Sequence, residues 1–259
     1  MRAGDALLLA VIGTGLVLSL IDSATGGGVS AWSQANLYRL AAGTASALGW
    51  LGLALSPLLL LPLIAALWGR FAALPGPFDR LLRIVIGVID AVTTAIGDAA
   101  RWFALGLVIV TAVVVVQRYV FGIAMTGLQE SVIYMHALLF LLSSGITLLA
   151  DGHVRVDIVY SKMTARGKAW TDLFGVYLAL IPMGWLILVM SSPYVNASWR
   201  ILERSRESDG LAFVFLLKAA IPVFAVMLIL QGISMAAQSA LTISGRPAPA
   251  HPRAVEREL

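Results

Sequence analysis

His136 is the one charge-bearing side chain within the long apolar runs of this 259-residue chain. Those runs, free of Asp, Glu, Lys and Arg, are 6–21, 40–69, 102–117, 131–150, 173–199 and 219–245. An ionisable group in such a setting is the first place to look for chemistry. A b-type haem would need a second histidine at similar depth. His153 is about 25 Å further along a helical axis and belongs to a charged loop, while His251 lies near the C-terminus. Bis-histidine ligation therefore fails, and His136 reads as a neutral imidazole hydrogen-bonded at a helix contact. Ser143-Ser144-Gly145 lies near it, but no carboxylate shares that depth and no G-x-S-x-G elbow is present. Walker A, G-x-G-x-x-G and H-E-x-x-H patterns are also missing. With no cysteine in the chain, thiolate metal sites and iron–sulfur clusters are excluded. The expectation is no catalytic residue, no cofactor and no metal.

Two polar clusters stand out instead. The first is Gln117-Arg118-Tyr119 followed after a turn by Gln129-Glu130. Arg118 ends one apolar run and Glu130 precedes the next, so an ion pair across the hairpin is expected. Tyr119 suits the aromatic belt of a membrane interface. The second is Asp151-Gly152-His153-Val154-Arg155-Val156-Asp157. Its alternation sets His153, Arg155 and Asp157 against Val154, Val156 and Ile158. That pattern favours a specific structural or docking role over a generic charged anchor.

The elements that must position these clusters follow from composition. Hydrophobic residues make up 59% and charged residues 12%, and the mean hydropathy is +0.91. Ordinary soluble domains are about 25% charged. Disorder and soluble nucleic-acid binding are excluded, despite a pI near 9.7. The chain reads as an all-α, polytopic helical membrane protein with about six spans, since each needs about 20 apolar residues. The first run is short and could be a signal peptide, but no A-x-A-like site follows it. The second run carries Pro57 and Pro62 and should kink. Lys and Arg divide twelve to six between alternate connectors. This bias places both termini in the cytoplasm.

Residues 78–101 behave differently. Asp79, Arg83, Asp90, Thr94, Asp98 and Arg101 share one helical stripe, opposite Leu82, Ile84, Val85, Ile89 and Val92. A straight helix from Phe78 to Phe121 would be about 66 Å long, twice the hydrocarbon thickness. A bend is expected, with residues 79–98 lying on the cytoplasmic membrane surface against phospholipid. Pro75-Gly76-Pro77 marks the boundary before it. Three parts result: an N-terminal extension 1–77 with two candidate spans, a four-span core 78–243, and a disordered tail 244–259.

The clusters, in this order, resemble the small membrane subunit of TRAP transporters, the tripartite ATP-independent periplasmic solute importers. Arg118-Tyr119-Val120-Phe121 matches the family's Arg-Tyr-x-Phe segment, and Gly127-Leu128-Gln129-Glu130 matches its Trp-x-Glu-Glu-like segment. His153-Val154-Arg155-Val156-Asp157 matches its His-x-Arg-x-Asp loop, and Ile221-Pro222 matches the proline of the last span. The resemblance covers roughly residues 78–243. Gly127 replaces the family's tryptophan and Gln129 its first glutamate, which weakens any argument for a cation held by two carboxylates.

The resemblance implies a non-enzymatic subunit of the bacterial inner membrane. Its partners would be a large permease, which carries the substrate and cation sites, and a periplasmic solute-binding protein that delivers an organic anion. The small subunit would pack on the static scaffold of the permease and help dock the binding protein. The implied interface or structural residues are Arg118, Tyr119, Gln129, Glu130, His153, Arg155 and Asp157. The rival reading from another class is a membrane-anchor or electron-transfer subunit.

Overall fold

The computed structural model of the chain describes residues 2–152 and 158–249. The expected site residues His153, Arg155 and Asp157 lie outside the described residues, as do residues 250–259. All regular elements among the described residues are helical. They are α1 (Ala3–Ala24), α2 (Gly28–Leu55), α3 (Leu61–Phe71), α4 (Gly76–Tyr119), α5 (Thr126–Leu149), α6 (Ala165–Gly175), α7 (Ile181–Arg200) and α8 (Val214–Ile243). A π-helical turn, Val176–Leu180, joins α6 to α7, so Ala165–Arg200 runs as one span.

Among the described residues five spans, not six, are long and apolar enough to cross a membrane: α1, α4, α5, the α6–α7 run and α8. The run at 40–69 is the one that fails. Pro57 falls in a 3-10 turn, Ser56–Leu59, and Pro62 lies in the first turn of α3. Each proline lacks an N–H and clashes with the preceding turn, so the run breaks where a kink was expected. The first part of the run, residues 40–55, ends α2, which is not apolar enough to count as a span, and the last part lies in α3, which has 11 residues, or about 16 Å. The expected bend between residues 78 and 121 does not break the helix: α4 runs as one helix of 44 residues from Gly76 to Tyr119.

Helices α5, α7 and α8 end as α1 does, where Gly27 N–H donates to the Asp22 carbonyl at 2.8 Å beside left-handed Gly26 (φ 63°). Gly152 N–H donates to the Thr147 carbonyl at 2.8 Å, Glu203 N–H to Ser198 at 3.0 Å, and Arg246 N–H to Leu241 at 2.9 Å. Each closes a Schellman-type turn through a left-handed residue, respectively Asp151 (φ 49°), Leu202 (φ 45°) and Gly245 (φ 75°). Leucine adopts this conformation reluctantly, so the turn after α7 is held by the loop beyond it rather than by its own preference.

The chain forms two compact units. Among the described residues, one comprises 2–51, 95–143 and 189–223, the other 52–94, 144–152, 158–188 and 224–249. In the first, α1 is fastened to α4. Asp5 accepts from Arg101 at 2.7 Å and from the Trp102 indole at 3.0 Å, and Arg2 pairs with Asp98 at 3.5 Å. A Cβ on Gly4 would stand 2.4 Å from the Ala95 carbonyl and 2.7 Å from the Ala99 nitrogen. Only glycine permits this backbone approach.

The second unit has an apolar core of Ala65, Leu82, Ile86, Leu173, Ala237 and Leu241 with their neighbours. Small residues on α8 let the helices pack closely. A Cβ on Gly232 would lie 2.4 Å from Leu180 in the π-turn. The Tyr177 hydroxyl donates to the Leu59 carbonyl, and Arg246 donates to the Leu74 carbonyl at 2.9 Å.

Candidate functional site

In the first unit, the segment between α7 and α8 folds back on itself. Ser205 N–H donates to the Leu211 carbonyl at 3.0 Å and Gly210 N–H to Glu207 at 3.2 Å. Glu130, in the first turns of α5, grips this loop. Its carboxylate accepts the Ser205 hydroxyl and, at 2.7 Å, the Leu211 N–H. Gly127, one turn earlier, leaves room for the loop, since a Cβ there would stand 2.9 Å from the Asp209 carbonyl.

The other end of the loop is tied by charge. Lys218 on α8 meets Glu203 at 2.5 Å and sits 4.0 Å over the Tyr194 ring. The Lys218 ammonium holds the Glu203 carboxyl below the ordinary carboxylate range. Trp199 and Phe215 meet edge to face at 4.9 Å and close the apolar side. The loop is therefore fixed by carboxylates at both ends.

The expected ion pair between Arg118 and Glu130 does not form. Both Glu130 oxygens take donors from the loop, and among the described residues Arg118 has no carboxylate partner. Arg118 is exposed at the end of α4, beside Tyr119, which is 80% exposed. Gln129 is half-buried. His136 also departs from expectation. It stands exposed on α5 in a stripe with Ile133 and Phe140, rather than at a contact between helices of this chain.

The second unit holds a polar cluster that the sequence reading missed. Asp90 on α4 is 6% exposed, Thr93 2%, and Gln231 and Ser234 on α8 are fully buried. Ser234 and Gln231 donate to the Asp90 carboxylate at 2.6 and 3.3 Å, and Thr93 donates to the Gln231 carbonyl oxygen at 3.0 Å. The stripe expected to face water turns inward at these positions, while Ile84, Val88 and Val92 face outward. A signal was present: Gln231, Ser234 and Gln238 form a matching polar stripe on the otherwise apolar α8.

The arrangement contains fixed loops, satisfied polar contacts and outward apolar faces. This suits holding and contacting other proteins within a membrane. No curated protein and no solved structure matches the chain. A family model does match, that of the tripartite ATP-independent periplasmic transporters, DctQ component, over residues 107–242. The match takes in the last 13 of the 44 residues of α4 (107–119) and everything from α5 to the last turn of α8, more than half of the chain. The chain therefore belongs to the DctQ family: it is the small, multi-pass inner-membrane subunit of a tripartite ATP-independent periplasmic transporter.

Proposed function

We propose that this subunit packs on and supports the static scaffold of the large permease, and helps dock the periplasmic binding protein of a cation-coupled organic-anion importer. The observation that carries this reading is the exposed α5 stripe of Ile133, His136 and Phe140. An imidazole presented to lipid is unfavourable, and polar side chains within spans characteristically face protein or water. A partner helix bringing a hydrogen-bond acceptor to His136 removes the penalty and buries the flanking Ile133 and Phe140.

Counted over the five spans, Lys and Arg again divide twelve to six, which supports a cytoplasmic C-terminus and so a periplasmic N-terminus, not two cytoplasmic termini. The loop 201–213 and the exposed Arg118–Phe121 end of α4 then face the periplasm, where a binding protein arrives. Glu130 keeps that loop in one shape and so presents a preformed surface. The same orientation puts cysteines at Thr25 and at Ser161 both on the cytoplasmic side, which impermeant thiol labelling reads directly.

The test is co-expression of the full chain with the large permease and the binding protein, followed by affinity capture and uptake measurement. H136E should lose the large subunit from the captured complex. E130A should retain it and weaken recruitment of the binding protein. Uptake at full rate in cells lacking this chain would overturn the proposal.

A further inference from the structure

Arg70 ends the apolar helix α3, and Arg166 opens the helical run that leads into the fourth candidate span. Both belong to the second unit, and together with Thr164, Gly167 and Trp170 they line one open cavity. Each stands where apolar helix meets charged flank, which is headgroup level in a bilayer.

Three other basic side chains of this unit have partners. Arg83 pairs with Asp79 at 3.1 Å, Arg246 reaches Asp79 and the Leu74 carbonyl, and Lys168 sits over the Tyr160 ring. Among the described residues Arg70 and Arg166, like Arg80 and Lys162, have no carboxylate partner, and the first two share one cavity. Thr164 does not supply an acceptor, because its hydroxyl already caps the Gly167 N–H. Two such guanidinium groups lining one cavity leave an uncompensated positive field there. Their planar forks match the oxygens of a phosphate.

Two exposed rings neighbour the lining residues Arg70 and Trp170. Phe71, beneath the Arg70 guanidinium at 5.9 Å, is 83% exposed. Trp170 stacks on Phe174 at 5.7 Å, and Phe174 is 53% exposed. A soluble anion would have no use for these rings, whereas a phospholipid carries both a phosphate and chains to lie on them. We propose that this cavity binds the phosphodiester headgroup of an anionic membrane phospholipid, with its acyl chains along Phe71 and Phe174. Arg70 and α3 lie outside the matched family region whereas Thr164, Arg166, Gly167 and Trp170 lie within it, so the site joins the N-terminal extension to the family core.

Native mass spectrometry of the full-length chain in detergent tests this, with dioleoyl phosphatidylglycerol and dioleoyl phosphatidylcholine titrated separately. At about a five-fold effect per arginine, phosphatidylglycerol should be retained about 30-fold more tightly. R70Q and R166Q should each lower the preference about five-fold, and the double variant should abolish it. The single variants decide the matter if the double variant does not fold. K162Q, which removes an exposed basic residue outside the cavity, should leave the preference intact. Equal retention of both lipids by the unaltered chain would overturn the site, as would a preference that survives R70Q and R166Q. Loss of the preference in K162Q would reduce it to diffuse surface charge. Displacement of the lipid by millimolar inorganic phosphate would mark a soluble-anion site and refute the lipid assignment.

Discussion

Ser234 on α8 donates its hydroxyl to the Asp90 carboxylate on α4 at 2.6 Å, across 144 residues of sequence. Gln231 adds its amide to the same oxygen and takes the Thr93 hydroxyl on its own carbonyl oxygen. A carboxylate taken out of water needs donors, and here two neutral side chains of a facing helix supply them. Asp90 and α8 therefore depend on each other: one needs donors, the other needs somewhere to send them.

Removing the acceptor should destabilise more than removing its charge. D90A leaves the Gln231 amide and the Ser234 hydroxyl buried without their acceptor, and should lower stability by about 1–2 kcal/mol. D90N keeps an oxygen in place and should lose less. Thermal unfolding in detergent compares the two. A D90A variant as stable as the unaltered chain contradicts the cluster's role in joining α4 to α8.

For the loop 201–213, the anchor is Glu130 and not Arg118. E130A frees the Ser205 hydroxyl and the Leu211 N–H together. Amide hydrogen exchange across residues 203–211 should accelerate in E130A and stay unchanged in R118A. Acceleration in R118A alone would restore the hairpin ion pair that the geometry lacks.

Acid should loosen the same loop through Glu203. Its carboxyl titrates lower in the folded protein than in the unfolded chain, because Lys218 favours the charged form. The folded state then binds fewer protons, so the contribution is complete above the ordinary carboxylate range. It is lost as pH falls through the lowered folded value. The midpoint gap between the unaltered chain and E203Q should be constant near neutrality and close on the acid side. A gap independent of pH down to about pH 3 would remove Glu203–Lys218 as the cause.

Gly4 should tolerate nothing larger. A Cβ there meets α4 backbone, which cannot swing aside. G4V should therefore push α1 off α4 and cost about 1–3 kcal/mol, as overpacking does. Paired cysteines at Asp5 and Arg101 should cross-link readily with Gly4 present and poorly in G4V. Equal cross-linking in both would show that α1 docks elsewhere.

How much was legible in the sequence depended on whether a residue's partner was local. The spans could be read because each apolar run carries its own signal. Pro57 and Pro62 were visible as disruptions, but their joint effect was to divide the run. The inward turn of Asp90 was not legible, because a polar stripe reads as water-facing until its match on a distant helix is known. Glu130 stands out in the sequence, but its partner does not. Charge complementarity points to nearby Arg118, while the actual donors are a serine hydroxyl 75 residues away and a backbone N–H 81 residues away. A backbone N–H has no sequence signature at all. His136 was read as an internal contact because nothing in one sequence distinguishes a flank facing a sister helix from one facing outward.

The fastening of α1 to α4 has a consequence in time. Asp5 and Arg101 are 96 residues apart, and ribosomes add about 5–20 residues per second. For about 5–20 s of synthesis, then, α1 exists before Arg101 and Trp102 have been made. In that interval Asp5 has only a nearby donor, the Arg2 backbone N–H at 3.1 Å. The N-terminal helix must wait at the membrane half-finished, and the arrival of α4 ends the wait. The order of synthesis thereby becomes an order of assembly, with the added helix first in and among the first to be locked.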